Sequence, residues 1–442
     1  MGRRSDGVPE HGGVKRVLLL AAACNPFRGS DCAVGWHRAL ETAKYFDTWV
    51  ICSASDRADI QRYLREKGEI PRLHFCFVNA TRLDELLKYI QPFFYTHFLD
   101  YHLWQRRAFK LARQLHQQLK FDLTHQVSLV GFREPSFLWK LDAPFVWGPV
   151  GGTQNYPWRF LYQAGLSGVL LEGLRTVVNF CQFRFSPRVR LAARKAACVL
   201  AANPDIQQNF WKIHGVKTEI LLDIGLEEIP KRETSNRILS NPLRLLWSGD
   251  LKHHKALNLL LQALALLPPE LSFELKILGK GPLESRWKQL ARRLGVAHRC
   301  RWEGWLPYDQ ALEQYAWADI LVFTSLRETT GSVVLEALGH GVPVICLDHQ
   351  GVKYLVTDEC GVKIPVTTPE KVILGLKDAI TDLAHDPERI NALSRGAVAR
   401  AQRFLWSLNG KYMAGIYRAA MENRRASIIK SPVSLMKRYA PY

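Results

Sequence analysis

Thr324-Ser-Leu-Arg-Glu-Thr-Thr-Gly-Ser-Val-Val-Leu-Glu-Ala-Leu-Gly-His-Gly-Val-Pro-Val-Ile345 is the stretch from which the fold is read. It leaves an apolar run, Ile320–Thr324, crosses a polar turn and enters a helix. It then passes Gly341 and Pro343 into a second apolar run, Pro343–Leu347. Strand, turn, helix and strand in that order form the repeating unit of a parallel α/β sheet. Thr329 and Thr330 are candidate N-caps, and Gly331 lets the backbone come close to a ligand. The first turn of such a helix offers free N–H groups and a positive dipole end, a setting for phosphate. Glu328 and Glu336 stand eight residues apart. On one continuous helix they would be about 12 Å and about 80° apart. Taken alone, a glutamate in a turn and another on a helix are ordinary solvated charges.

Outward from this stretch, short β-rich runs alternate with helical ones. The strand candidates in the first half are Arg16–Ala22, Thr48–Ser53, His74–Val78, Leu123–Val127, Phe145–Trp147, Ala197–Ala201 and Glu219–Leu222. Leu243–Ser248, Phe273–Leu278, Ile320–Thr324 and Pro343–Leu347 follow in the second half. Amphipathic helices are expected at Ala256–Leu267, Leu283–Leu294 and Pro369–Ala384. The polar, proline-containing segment Gly225–Pro242 reads as a linker between two doubly wound domains. The expected division is a first domain at 14–225, a linker at 226–242 and a second domain at 243–400. A helix at 401–422 and a basic tail at 423–442 complete it. Two such domains would face each other across a cleft lined by the carboxyl ends of their strands.

Composition is that of a globular protein, with 47% hydrophobic and 23% charged residues among 442. The longest apolar runs, Val17–Cys24 and Leu257–Leu267, fall short of the ~18 residues of a membrane-spanning helix. Met1–Lys15 is polar and lacks the pattern of a secretory signal. Nine cysteines without CxxC spacing favour a reducing cytosol. The net charge of +19 (60 basic against 41 acidic residues) fits either a uniformly solvated basic surface or attraction to an anionic membrane or acceptor. Nucleic acid is not expected, because no zinc-finger, RNA-recognition or helix-turn-helix signature accompanies the charge.

The opening stretch resembles glycosyltransferase family 4, retaining enzymes of the GT-B architecture. Their signature is an acidic residue, seven intervening residues and a second acidic residue, followed by a small-x-Gly-x-Pro-Val segment. Glu328, Glu336 and Gly341-Val-Pro-Val match it. The resemblance implies that Glu328 contacts the transferred sugar and that Glu336 hydrogen-bonds the donor ribose. A second element, Leu245-Leu-Trp-Ser-Gly-Asp-Leu-Lys-His-His-Lys-Ala-Leu, corresponds to a Gly-Arg-Leu turn with a lysine five residues after the arginine. In the family both cations grip the donor diphosphate. Gly249 and Lys255 match, whereas Asp250 occupies the arginine position. Either Lys252, His253 or His254 supplies the second charge, or the site works with one. Leu278-Gly-Lys-Gly-Pro and Glu303-Gly-Trp-Leu-Pro are similar to the family segments near the donor base, and implicate Gly279 and Leu306.

In the first half, Asn25-Pro-Phe-Arg-Gly-Ser-Asp-Cys-Ala-Val-Gly-Trp resembles the family's glycine loop. Gly29 and Ser30 would set backbone N–H groups against donor phosphates and acceptor hydroxyl. Asp31 stands where glutamate is more usual. Many relatives carry an active-site histidine after the strand equivalent to Phe145–Trp147, where this chain has Gly148. His125, at the end of a neighbouring strand, is the substitute candidate beside an ordinary structural role. The loop Gly148–Gly152 is expected to line the cleft. Two segments mix aromatic and basic side chains. In Leu83–Leu119 they include Phe93, Phe94, Tyr95, Phe98, Tyr101 and Trp104, and in Phe180–Lys195 Arg184, Arg188, Arg190, Arg194 and Lys195. Both suit an interface with lipid and equally a packed helix with a solvated face.

The resemblance thus implies a retaining transferase, and cysteine usage and charge suggest that it is cytoplasmic or peripheral on the inner membrane face. It would move a sugar from a UDP- or GDP-sugar to a glycan or lipid-linked acceptor, in cell-surface polysaccharide assembly. Glu328, Lys255 and His125 are the catalytic candidates. Gly29, Ser30, Gly249, Gly279, Leu306, Thr330, Gly331 and Glu336 are the donor-binding candidates. No cofactor is implied, and without a DxD signature no metal. The alternatives are a non-catalytic scaffold on the same fold, for which Asp250 and the absent histidine speak, and a nucleotide-sugar 2-epimerase.

Overall fold

The computed structural model of the chain describes residues 13–84, 86, 97–230 and 239–422. Two wholly parallel sheets organise them. The first holds β1 (Arg16–Leu20), β2 (Asp47–Ser53), β3 (Leu73–Val78), β4 (Leu123–Gln126), β5 (Phe145–Val150), β6 (Cys198–Ala201) and β7 (Glu219–Ile220), in the order 3-2-1-4-5-6-7. The second holds β8 (Leu243–Ser248), β9 (Phe273–Leu278), β10 (Cys300–Gly304), β11 (Ile320–Phe323), β12 (Val344–Asp348) and β13 (Gly361–Pro365), in the order 10-9-8-11-12-13. Central strands such as β5 and β11 are buried along their whole length, as helices on both faces of a parallel sheet require. Strand order reverses between β1 and β4 and again between β8 and β11. Ligands of such sheets sit beyond the strand ends at these switch points.

All eleven expected strands are present. The two that the sequence reading passed over, β10 and β13, are the edges of the second sheet. The helix expected from Ala256 starts at Leu257, because Ala256 takes a left-handed conformation (φ 47°) after a tight turn at His253–Lys255. Helices lie at Glu284–Arg293 and Pro369–His385, close to their expected bounds.

The chain crosses between the sheets twice, and the crossings are bonded to each other. Leu226 N–H donates to Phe404 O (3.0 Å), and Trp406 N–H to Leu226 O (2.8 Å). The final helix, Trp406–Met421, then returns to the first sheet. Trp406, Met413 and Tyr417 share one apolar cluster with Val17 and Leu19 of β1 and with Trp36 of the helix Asp31–Ala43. Arg38 of that helix donates to Asn409 Oδ1 (2.7 Å). The aromatic candidates Phe93, Phe94 and Tyr95, the side chain of Phe98 and the basic tail 423–442 lie outside the described residues. Among the described residues, no helix is long and apolar enough to cross a membrane.

Candidate functional site

The second switch point assembles the site from the ends of β8 and β11. Beyond β8 the chain turns at Gly249, and Lys255 follows on the tight turn. Beyond β11 it runs through Thr324 to Glu328. Several contacts fasten one segment to the other. Trp247 Nε1–H donates to Thr324 Oγ1 (3.0 Å), whose own hydroxyl donates to Lys255 O (2.8 Å). Leu326 N–H donates to His254 O (2.7 Å). The Lys255 ammonium closes the set by pairing with the Glu328 carboxylate, both side chains being mostly buried. The ends of β8, β9 and β10 are tied side by side: Gly249 N–H reaches Leu278 O (3.0 Å) and Gly279 N–H reaches Gly304 O (2.7 Å). Gly279 is required there, since a Cβ would stand 2.0 Å from Gly249 O. Leu306 follows, partly buried against the second core.

The helix after Glu328 begins at Ser332 with Gly331 as N-cap (φ 88°), and no side chain caps it. This corrects the expectation of a threonine cap. Glu328 lies in the turn and only Glu336 is helical, so the separation expected on one continuous helix does not apply. The Thr330 hydroxyl instead donates to Asp223 Oδ1 (2.6 Å), across to the first half of the chain. Gln350 orients the turn by accepting from Glu328 N–H (2.8 Å) and donating to Asn155 O (2.8 Å). Asn203 Nδ2–H donates to Thr329 O (2.8 Å). Glu336 accepts from the hydroxyls of Tyr315 (2.8 Å) and Tyr308 (3.4 Å). Burial raises its pKa, and those hydroxyls lower it. Tyr308 also reaches the opposite domain, where a Cβ on Gly29 would lie 3.0 Å from its ring. Gly29 and Glu336 are thereby brought to two sides of one tyrosine. Ser30, exposed, starts the helix Asp31–Ala43 with φ 59°.

His125 is not part of this arrangement. It lies within β4 at 0% exposure. Its Nε2 faces Gly148 O (2.6 Å), so Nε2 carries the proton and Nδ1 accepts from the Tyr417 hydroxyl (2.5 Å). Burial, followed by the Arg38 charge, pushes its pKa down to about 3. A sealed, neutral imidazole with both nitrogens engaged has no opening to an acceptor hydroxyl. Its role is structural, which corrects the catalytic candidacy.

The candidates for a second cation are differently placed. Asp250 points outward and is paired with Lys252 (2.7 Å). Burial and then Arg286 lower the pKa of His253, and burial, Arg327 and Lys255 push that of His254 down to about 2. Arg327, passed over in the sequence, precedes Glu328 in the chain and is engaged elsewhere. Its guanidinium pairs with Glu172 of the first domain and donates to His254 Nδ1 (3.3 Å).

The first switch point opens into a cleft of about 630 Å³, lined among others by Arg28, Asp31, Arg133, Gly151, Gly152 and Asp223. Of the expected loop Gly148–Gly152, Pro149, Gly151 and Gly152 line it, whereas Gly148 lies within β5, and a Cβ on Gly151 would meet the Thr329 side chain at 3.0 Å. The site therefore has a floor in the second domain and an open chamber in the first.

Residues 229–398 match the family model of glycosyl transferases group 1. A D-inositol 3-phosphate glycosyltransferase of Thermobispora bispora is 32% identical over 189 residues, covering 40% of this chain and 43% of that protein. An uncharacterised glycosyltransferase of Methanocaldococcus jannaschii is 23% identical over 205 residues, covering 46% and 52%. The chain thus spans about half the length of these relatives. Sucrose-phosphate synthase from Thermosynechococcus elongatus superposes with a TM-score of 0.64 at 16% identity, covering 92% of this chain and 99% of that one. The Anabaena protein HepE, solved with UDP, gives 0.58 at 18% identity, with 92% and 100% covered. The fold is the GT-B architecture.

Proposed function

We propose that this GT-B chain, whose second half carries a glycosyl transferases group 1 domain, is a retaining glycosyltransferase using a nucleotide-diphosphate sugar, UDP- or GDP-linked. The observation that carries the reading is the pairing of Lys255 with Glu328 at the switch point, beside the uncapped helix start at Gly331. An incoming diphosphate competes for the Lys255 ammonium and draws on the helix N–H groups. Glu328 is thereby released to the sugar, while Glu336, poised by Tyr308 and Tyr315, takes the ribose. The glycosidic bond ionises toward an oxocarbenium-like state. The acceptor hydroxyl attacks from the same face, and its proton passes to the departing phosphate. The acceptor is a glycan or lipid-linked glycan held in the first-domain chamber. The protein works at the cytoplasmic face of the membrane in cell-surface polysaccharide assembly, a reading supported by the basic charge and the aromatic–basic surface.

A non-catalytic scaffold draws support from Asp250, which offers the diphosphate no cation. Thermal-shift and hydrolysis measurements with UDP-, GDP- and ADP-sugars, without added metal, separate the two. One donor is expected to stabilise the protein and to release its nucleotide slowly. Glu328→Ala and Lys255→Ala are each expected to lower turnover by about 10²–10³-fold. Donor binding without turnover establishes the scaffold, and no binding by any donor overturns the transferase.

A further inference from the structure

The helix Gly165–Phe185 is built inside out. On the side facing the protein it carries Glu172, paired with Arg327 of the second domain, and Asn179, which accepts from Arg133 and donates to Asn155 Oδ1 (2.8 Å). On the opposite side Leu166 (88% exposed), Leu170 (74%), Leu174 (66%), Val177 and Phe185 face outward. At 100° per residue these five fall within about 100° of arc and extend about 28 Å along the axis. Single exposed apolar residues are unremarkable, but a continuous stripe of this kind marks a contact surface.

The surroundings of the stripe select its occupant. Trp158 and Tyr162 are exposed just before the helix, the amphipathic aromatics that settle at a membrane–water boundary. Arg184 lies near its far end, and Arg190 and Arg194 follow, all exposed. Between Tyr156 and Pro204 there are seven Arg or Lys residues against one acidic residue, Glu172, which is buried and paired. A second copy of this face would meet like charge. An anionic bilayer offers phosphates to the arginines and acyl chains to the leucines. The helix is not apolar enough to cross a bilayer, and its inner face is committed to the protein.

We infer that the outer face of the helix Gly165–Phe185 lies along an anionic phospholipid surface. Its leucines enter the headgroup–acyl boundary, and Arg184, Arg190 and Arg194 sit on lipid phosphates. This deepens the proposed membrane-side transferase and rests on that reading only for its purpose. Because Glu172 on the same helix holds Arg327, the neighbour of Glu328, docking would set the reaction centre at a fixed position relative to the lipid.

The test is co-sedimentation of the full chain with phosphatidylglycerol–phosphatidylcholine vesicles and with phosphatidylcholine alone. Melting temperature and nucleotide-sugar binding are read on the same proteins. Binding is expected only to the anionic vesicles, weakened by salt. L170S/L174S is expected to weaken it by about tenfold or more, as is R184E/R190E, with melting and nucleotide binding unchanged. Wild-type protein left in the supernatant overturns the inference, as does L170S/L174S sedimenting like wild type. Concentration-dependent dimers lost in L170S/L174S, without vesicle binding, overturn it in favour of self-association. Vesicle binding by a chain that binds no nucleotide sugar supports the docking face while removing the transferase reading.

Discussion

Asp223 stands in the wall of the first-domain cleft, where burial lifts its carboxyl to about 6 although the Thr330 hydroxyl pulls the other way. The nearby carboxylates Asp31 and Glu328 add to the rise. A carboxyl whose folded pKa is raised contributes stability that is complete below its ordinary value of 3.8 and lost as pH rises through about 6. Asp223→Asn keeps an oxygen for Thr330 and removes the charge. It is expected to raise the melting temperature by about 2–4 °C at pH 8. The gain should vanish below pH 4, as thermal melts across that range would read. None of this was legible in the sequence, because Asp223 and Thr330 are distant in the chain and meet only across the folded cleft. The same holds for Tyr308 and Tyr315, on the helix Tyr308–Trp317, and for Gln350 in a turn, which hold the two glutamates from separate segments. Glu328, Glu336 and Lys255 could be singled out because each lies in a short contiguous stretch that resembles a family motif. His125 misled for the opposite reason: a strand-end histidine looks the same in sequence whether it faces a cleft or a neighbouring helix.

The turns that end β8, β9 and β10 act as one element, laced by backbone hydrogen bonds through Gly249 and Gly279. Gly279→Ala introduces a Cβ 2.0 Å from a carbonyl oxygen at a φ of 125°, so the turn itself has to move. The expected cost is about 2–4 kcal/mol, read by urea unfolding, together with weaker nucleotide-sugar binding. An unchanged unfolding midpoint would show that the turn adapts freely. At this scale the central strands were readable from apolar runs alone, since helices cover both of their faces. The edge strands were not. Cys300–Gly304 interleaves charged with apolar residues, and Gly361–Pro365 begins and ends on residues that punctuate loops. An edge, half open to water, tolerates both.

Across the whole molecule, the two halves are joined by paired crossings and by the last helix, whose Tyr417 reaches His125 in the middle of the first sheet. Tyr417→Phe leaves a fully buried imidazole nitrogen without its donor, at an expected cost of about 1–3 kcal/mol. Urea unfolding measures that loss, while nucleotide-sugar binding in the second domain should be kept. A two-domain α/β chain was visible in the alternation of runs. The chamber in the first domain, the Arg327–Glu172 pair and the outward stripe of the helix Gly165–Phe185 were not, because each depends on how surfaces face one another. Since the last helix completes the first core, synthesis and folding run in different orders. A ribosome delivers β1 to β7 long before Trp406, Met413 and Tyr417, so the apolar face awaiting them stays open while the second sheet is made. That second sheet is contiguous in the chain, although Tyr156 and Phe160 of the first half join its core. The nascent first half, with that face open until the final helix arrives, is therefore the stretch that a holding chaperone would shelter.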